Sequence, residues 1–177
     1  MMTARLKPRT DRGGDVPSIR QVSVFTENRV GALAQLLGTF DETKVTVLAL
    51  NVIQGVDCAI VRFVFNDTDV AAKMLVDHDY HFTVCDLVAV ELGPEQNGLS
   101  AITKALLEVE IDLHYAYGLI LTPARFPAIV LHVDNPALAV TVLGERGFYL
   151  LDEADLRRQG PGPGSGSGPK HPGPGQN

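Results

Sequence analysis

The 177-residue chain is poor in cysteine and has neither a stripe of positive charge nor a long hydrophobic run, and each shortage removes a class of protein. Its two cysteines, Cys58 and Cys85, have no paired short spacing and lie inside apolar runs, where free cysteine serves as a small hydrophobe. A reduced, cytoplasmic setting is the simplest expectation. Lys and Arg number 15 against 21 Asp and Glu, a formal charge of −6, and beyond the N-terminal RLKPRTDR no basic run occurs. That balance speaks against nucleic acid or an anionic membrane as the main partner. No apolar stretch approaches the ~18 residues of a membrane span, and the N-terminus lacks an apolar signal core, so a soluble intracellular protein is expected. There is also no nucleophile elbow, phosphate loop or dinucleotide fingerprint. Nothing here demands an enzyme, a cofactor or a metal.

What the chain does contain is a repeat. Asn28 to Asn51 (NRVGALAQLLGTFDETKVTVLALN) recurs in pattern as Gln96 to Tyr117 (QNGLSAITKALLEVEIDLHYAY). Leu33, Leu36, Phe40, Val45 and Val47 match Leu99, Ile102, Leu106, Ile111 and Leu113 at one offset, 99 − 33 = 66. Two units of roughly 70 residues follow, each small for an independent domain. We expect a first domain over 19–86 and a second over 87–157. They are flanked by a polar segment, 1–18, and a Gly/Pro/Ser-rich tail, 158–177, neither able to bury enough apolar area to offset its ordering entropy.

Gln21 to Thr26 alternates polar and apolar, as a half-buried strand does, and from Val30 the apolar spacing turns helical at Leu33, Leu36, Leu37 and Phe40. Lys44–Val52 and Cys58–Phe65 read as strands around a turn at Gln54 to Val56. Asp67 to Asp69 offer caps for a helix over Val70–Val76, and His81–Cys85 closes the unit as a strand. The second unit reads as strand Leu87–Leu92, helix Leu99–Val109, strands Asp112–Leu121 and Ala128–Val133, a helix opened by Asn135-Pro136 and ended by Gly147, and strand Phe148–Leu151. Two βαββαβ units predict an α+β fold of ferredoxin-like layers, each an antiparallel sheet with helices on one face and the other face bare. Val45, Val47, Ala49, Val61, Phe63 and Phe65 supply one apolar face, but Leu48, Leu50, Ile60 and Val64 supply a second. That second face needs a cover: a sheet pairing, the other repeat or a dimer.

Chemistry and backbone geometry converge at the turn Thr26-Glu27-Asn28-Arg29-Val30-Gly31-Ala32-Leu33. Unpaired N–H groups at a helix start suit a carboxylate or phosphate, Gly31 admits close approach, and Asn28 offers both a donor and an acceptor. Equally, Asn28 would cap the helix and Gly31 relieve crowding against the sheet. The tandem βαββαβ order, the turn ENRVGAL and the strand beginning KVTVLAL resemble the ACT domain, a regulatory module that binds amino acids. The stretch TENRVGALAQLLGTFDETKVTV is similar to the serine-sensing ACT domain of phosphoglycerate dehydrogenases. The resemblance covers roughly Arg20 to Leu156. It implies ligand contacts at Asn28 and Gly31, with Arg29, Val30, Ala32 and Leu33 around them. A His and a second Asn of that family's site fall on Thr26 and Thr46. In the second unit Gln96, Asn97, Gly98, Leu99 and Asp112 take the corresponding places. An amino-acid ligand, a homodimer and a biosynthetic enzyme partner in trans are what the resemblance implies. The alternative is an interaction module with a vestigial site.

Two other groupings bear on function. His78, His81, Cys85 and Asp86 have side chains of zinc-ligating type, but lack a standard spacing. Alternation places Tyr115 and Tyr117 on one strand face and His114 on the other, which argues against one catalytic group. An RNA-recognition module shares the element order, but Ile60, Val61 and Val64 stand where its stacking aromatics belong, and the charge is negative.

Overall fold

The computed structural model describes residues 17–41, 43–56, 58–93, 98–120 and 126–157. Residues 1–16 and the tail 158–177, expected to be disordered, lie outside that range. The elements are β1 (Ile19–Glu27), α1 (Ala32–Gly38), β2 (Val47–Gln54), β3 (Cys58–Phe65), α2 (Thr68–Asp77), β4 (His81–Glu91), α3 (Gly98–Leu107), β5 (Leu113–Gly118), β6 (Ala128–Val133), α4 (Pro136–Glu145), β7 (Leu150–Leu151) and α5 (Glu153–Arg157). Local signals set the helix ends. Asp67 Oδ1 accepts from the N–H groups of Asp69 and Val70 at 3.2 and 3.3 Å, and Asn135 Oδ1 accepts from that of Leu138 at 3.1 Å. Pro136 opens α4, and Gly147 follows it with φ 80°.

One antiparallel sheet runs through the molecule in the order β2-β3-β1-β4-β6-β5, with β7 also on β4. Where the sequence suggested two strands broken near Asp86, there is a single strand, β4. Its first half, His81 to Leu87, pairs with β1, and its second half, Val88 to Glu91, pairs with β6 and β7. Asp86 does not interrupt it, because that residue sits opposite Arg20 and faces solvent. The four strands of each unit then read 4-1-3-2, the ferredoxin-like arrangement, with β4 last in the first unit and first in the second.

Three apolar layers hold the sheet. Leu36, Phe40, Val45, Val61, Phe63 and Phe65 lie between the first sheet half and its helices, with Phe63 and Phe65 stacked at 5.2 Å. Ile102, Leu106, Ile111, Leu131 and Leu143 form the equivalent layer of the second half. The pairs Leu36/Ile102, Phe40/Leu106 and Val45/Ile111 are buried in both, so the 66-residue offset marks equivalent core positions. The third layer joins the halves: Ile19, Leu48, Ala49, Val64, Leu87, Ala89, Val130, Leu151 and Leu156 pack together. Of the covers that the second apolar face called for, the structure uses the other repeat: the sheet curls and one repeat covers part of the other. A bulge in β2 between Val47 and Ala49 corrects the face assignment there. It turns Ala49 into this middle layer and Leu50 to the helix side, the reverse of strict alternation.

The short helix α5 has no counterpart in the sequence reading. Its start is signalled by Asp152-Glu153-Ala154-Asp155, where Asp155 N donates to Asp152 Oδ1 at 2.8 Å and Asp152 N donates to Asp155 Oδ2 at 3.2 Å. Glu153 takes a bidentate grip on the Arg20 guanidinium, with Nη2 to Oε2 at 2.8 Å, while Arg20 Nη1 also donates to Asp69 at 2.7 Å. Helix α5 is thereby held on the first unit.

Because β4 belongs to both units, neither unfolds without removing a strand from the other. Phe63→Ala in the first unit and Leu106→Ala in the second should each cost about 2–5 kcal/mol. Calorimetry and far-UV circular dichroism should show each lowering one common transition. Two separable transitions, with each variant moving only its own, would refute the shared-strand coupling.

Candidate functional site

The first strand-to-helix turn is exposed from Glu27 to Gly31. Gly31 stands at the N-cap of α1 with φ 86°, and no side chain caps the helix there. A Cβ built on Gly31 would meet nothing within 4 Å, so backbone conformation, and not crowding, requires glycine. Asn28 does not cap α1. Its Nδ2 donates to Gly55 O at 2.9 Å, and its Oδ1 accepts from Gln54 Nε2 at 3.3 Å, so it ties the turn to the β2–β3 connection. Arg29 pairs with Glu27 Oε2 and Gln35 Oε1, both at 2.7 Å. Val30 is fully exposed, Ala32 is buried, and Leu33 packs against the first core. Thr26 and Thr46 are half-buried.

The second unit repeats part of this geometry. Gly98, at the start of α3, has φ 53° and equally open space before a built Cβ. Gln96 and Asn97 lie outside the described residues, and Leu99 is exposed. Thr46 and Asp112 are held alike: Thr46 N donates to Asn66 Oδ1 at 2.7 Å and Thr46 O accepts in return from Asn66 N at 3.1 Å. Asp112 N donates to Asp134 Oδ1 at 3.1 Å and its O accepts from Asp134 N at 3.2 Å. The residue that opens the strand after the helix is thus presented identically, while its side chain changes from neutral to anionic.

A second group of polar residues, which the sequence pattern did not bring together, sits between the two sheet halves. Gln21, only 1% exposed, places Nε2 at 2.9 Å from Tyr115 OH, 3.0 Å from Ser23 Oγ and 3.4 Å from Cys85 Sγ. Tyr117 OH donates to Gln21 Oε1 at 2.7 Å. The Arg62 guanidinium lies 3.7 Å over the Tyr115 ring, which stacks on His132 at 4.6 Å. Burial, ahead of the effect of its neighbours, pushes the Cys85 thiol and the Tyr117 hydroxyl up from their ordinary pKa values. Burial, then His114, then Arg62 hold His132 down. The sequence carries no signal of this burial, because Gln21 and Ser23 read simply as the polar side of an alternating strand. Cys85 packs against the middle apolar layer, as expected of a small hydrophobe, while also bordering this polar cluster; Cys58, by contrast, is exposed.

His78 and His81 are exposed, and His78 Nδ1 lies 2.9 Å from Met74 O, at the end of α2. Among the described residues no group of three or more His, Cys, Asp or Glu is placed to hold a metal ion. No described helix is long and apolar enough to cross a membrane.

Comparisons with known proteins agree with this geometry at the level of family and fold. The family model described as an ACT domain pair matches residues 17–159. No curated protein sequence matches the chain. A protein of Bacteroides thetaiotaomicron is similar in structure, with TM-score 0.71 and 23% identity over 82% of this chain and 100% of that one. The ligand-free regulatory subunit of aspartate kinase from Thermus thermophilus is similar with TM-score 0.51 and 12% identity, over 74% of this chain and 93% of that one. At these identities the structural likenesses speak for the fold alone.

Replacing Gln21 by Leu would strip hydrogen bonds from two tyrosines and a serine in a buried layer. The expected loss is about 1–3 kcal/mol, seen as a Tm lower by about 2–10 °C. A Tm within a degree of wild type would show that the cluster adds nothing. The two thiols should also separate: a disulfide reagent at mildly alkaline pH should modify exposed Cys58 quickly. Cys85 should react only as the pH rises well above the ordinary thiol pKa of about 8.5.

Proposed function

This chain belongs to the family of ACT domain pairs, and from that premise we propose that it is a non-catalytic regulatory protein that binds an amino acid. The ligand docks at the turn from Asn28 to Leu33 against a neighbouring domain, in a homodimer, and its binding modulates a partner enzyme of amino-acid metabolism. The observation that carries this reading is the left-handed glycine at the start of both α1 and α3, each with open space where a side chain would stand. The first N–H groups of a helix lack intrahelical partners and favour a carboxylate. In the first unit we assign the ligand contacts to Thr26, Arg29, Val30, Gly31, Ala32 and Thr46. Asn28 supplies the polar recognition.

In the free protein Asn28 is engaged with Gly55 and Gln54. A ligand that takes over those hydrogen bonds releases the β2–β3 connection, so occupancy and the conformation of that connection are linked. Linkage of this kind is what a regulator needs, because a ligand shifts an equilibrium only by its differential affinity for the two states. The second unit offers Gly98, Leu99 and Asp112, with Gln96 and Asn97 preceding them. An exposed carboxylate at Asp112 repels a ligand carboxylate, so the second turn serves more as an interface than as an equal site.

The test is a thermal-shift and calorimetric screen of the twenty amino acids against the full chain. A ligand at 100 times its Kd stabilises by about 2.7 kcal/mol. One amino acid, or a small related set, should raise Tm, and Asn28→Ala should abolish the rise while leaving the apo Tm nearly unchanged. Gly31→Ala should cost about 1–2 kcal/mol of stability through its left-handed backbone and also weaken binding. No shift with any amino acid at millimolar concentration sinks the sensor reading. A shift that survives Asn28→Ala moves the site elsewhere.

A further inference from the structure

Strict alternation separates His114 from Tyr115, but β5 carries a bulge between Leu113 and Tyr115. The extra residue turns His114 toward β6, where Tyr115 already pairs with His132. Two imidazoles, 18 residues apart in sequence, are thereby brought edge to edge with their Nδ1 atoms 3.0 Å apart. Their ring centroids are 5.0 Å apart and their planes 40° apart. His114 keeps 43% of its side chain exposed, and its other nitrogen, Nε2, lies 3.7 Å from Asp112 Oδ2. His132 is fixed from behind by stacking on Tyr115 at 4.6 Å, the two rings nearly parallel at 3°.

From this geometry we infer that His114 and His132 form a two-nitrogen site for a divalent transition metal, distinct from the amino-acid site proposed at the first turn. Two nitrogens 3.0 Å apart, each about 2.0–2.1 Å from one ion, subtend about 90–100° at it. That is the cis angle of a tetragonal or octahedral centre and suits Cu(II) or Ni(II). A tetrahedral zinc ion needs its nitrogens ~3.3 Å apart and fits less well. In the free protein one Nδ1–H donates a hydrogen bond to the other Nδ1. On metal binding that proton moves to Nε2 of the same ring, so both Nδ1 lone pairs coordinate and no net proton is released. His114 Nε2–H then points toward Asp112, whose carboxylate orients the ring and raises its basicity as carboxylates behind metal-bound histidines do. The remaining coordination positions face solvent on the exposed side of His114, and water fills them. The histidine-containing groups singled out in the sequence, His78, His81 and His114, had not suggested this pairing, because only a bulge makes it.

The experiment is calorimetric titration of the untagged, chelator-stripped full chain with Ni2+ and separately with Cu2+. One equivalent should bind, with the Cu2+ adduct giving the electron paramagnetic resonance signature of two equatorial nitrogens. His114→Asn and His132→Asn should each lower affinity at least tenfold, and Asp112→Asn less. His171→Ala, in the tail, should leave it unchanged. His114 is exposed, so His114→Asn reports even if the His132 variant fails to fold. Zn2+ should bind more weakly than either probe. No stoichiometric event, or one that survives His114→Asn or vanishes in His171→Ala, overturns the site.

Discussion

Every layer of this molecule depends on one constraint: β4 must satisfy two units at once. Successive strand residues point to opposite faces, so the parity of β4 assigns its side chains for its whole length. Phe82, Val88 and Val90 serve the two helix-side cores, while Cys85, Leu87 and Ala89 serve the layer between the sheet halves. A shift of one residue would exchange these sets, putting Cys85 and Thr83 among phenylalanines and emptying the middle layer. Pairing with β1 on one side and with β6 and β7 on the other makes that shift prohibitive, since three registers would have to slip together.

A contact between β2 and the segment after β5 also supplies a physical route between the proposed ligand turn and the second unit. Asn28 holds Gly55 at the end of β2, and the Leu48 carbonyl near the start of β2 accepts from Ile120 N, just beyond β5, at 2.7 Å. Any change in the β2–β3 connection is therefore one strand away from the segment that carries Tyr115, Tyr117 and His114. Contiguity alone is not coupling. It does identify the element whose two positions a ligand would have to distinguish, namely the hold of Asn28 on Gly55.

Much of the fold was legible because the repeat places like residues at like depth. Leu36 and Ile102, Phe40 and Leu106, and Val45 and Ile111 were matched from spacing alone, and all six are buried. Caps at Asp67 and Asn135 were equally readable, since a short polar side chain before an apolar run has a local mechanism. What escaped were departures from strict period. The bulge at Val47 to Ala49 exchanged the faces of Ala49 and Leu50, and the bulge at His114 brought two histidines together. A bulge inserts one residue without changing composition, so alternation read along one strand cannot reveal it. The candidate turn was found by local chemistry, but the engagement of Asn28 with Gly55 depends on a contact across 27 residues that no local pattern encodes.

The polar layer between the sheet halves answers a question of specificity that the apolar layers leave open. Two helix-free faces rich in Leu, Val and Ala would bury similar areas in several relative positions, because aliphatic contacts are non-directional. Gln21 removes that freedom. Its amide must meet Tyr115, Tyr117 and Ser23 together, and displacement by a single residue would leave buried donors without acceptors. Among the described residues no buried side-chain nitrogen or oxygen lacks a partner, so the observed arrangement meets this condition in full. The Arg20–Glu153 pair fixes the same alignment from the opposite end, through α5. Hydrophobic burial thus holds the repeats together, and a few directional bonds decide how they face. A regulator that responds to ligand by altering that facing would need both properties: an interface strong enough to persist, and contacts discrete enough to have alternatives.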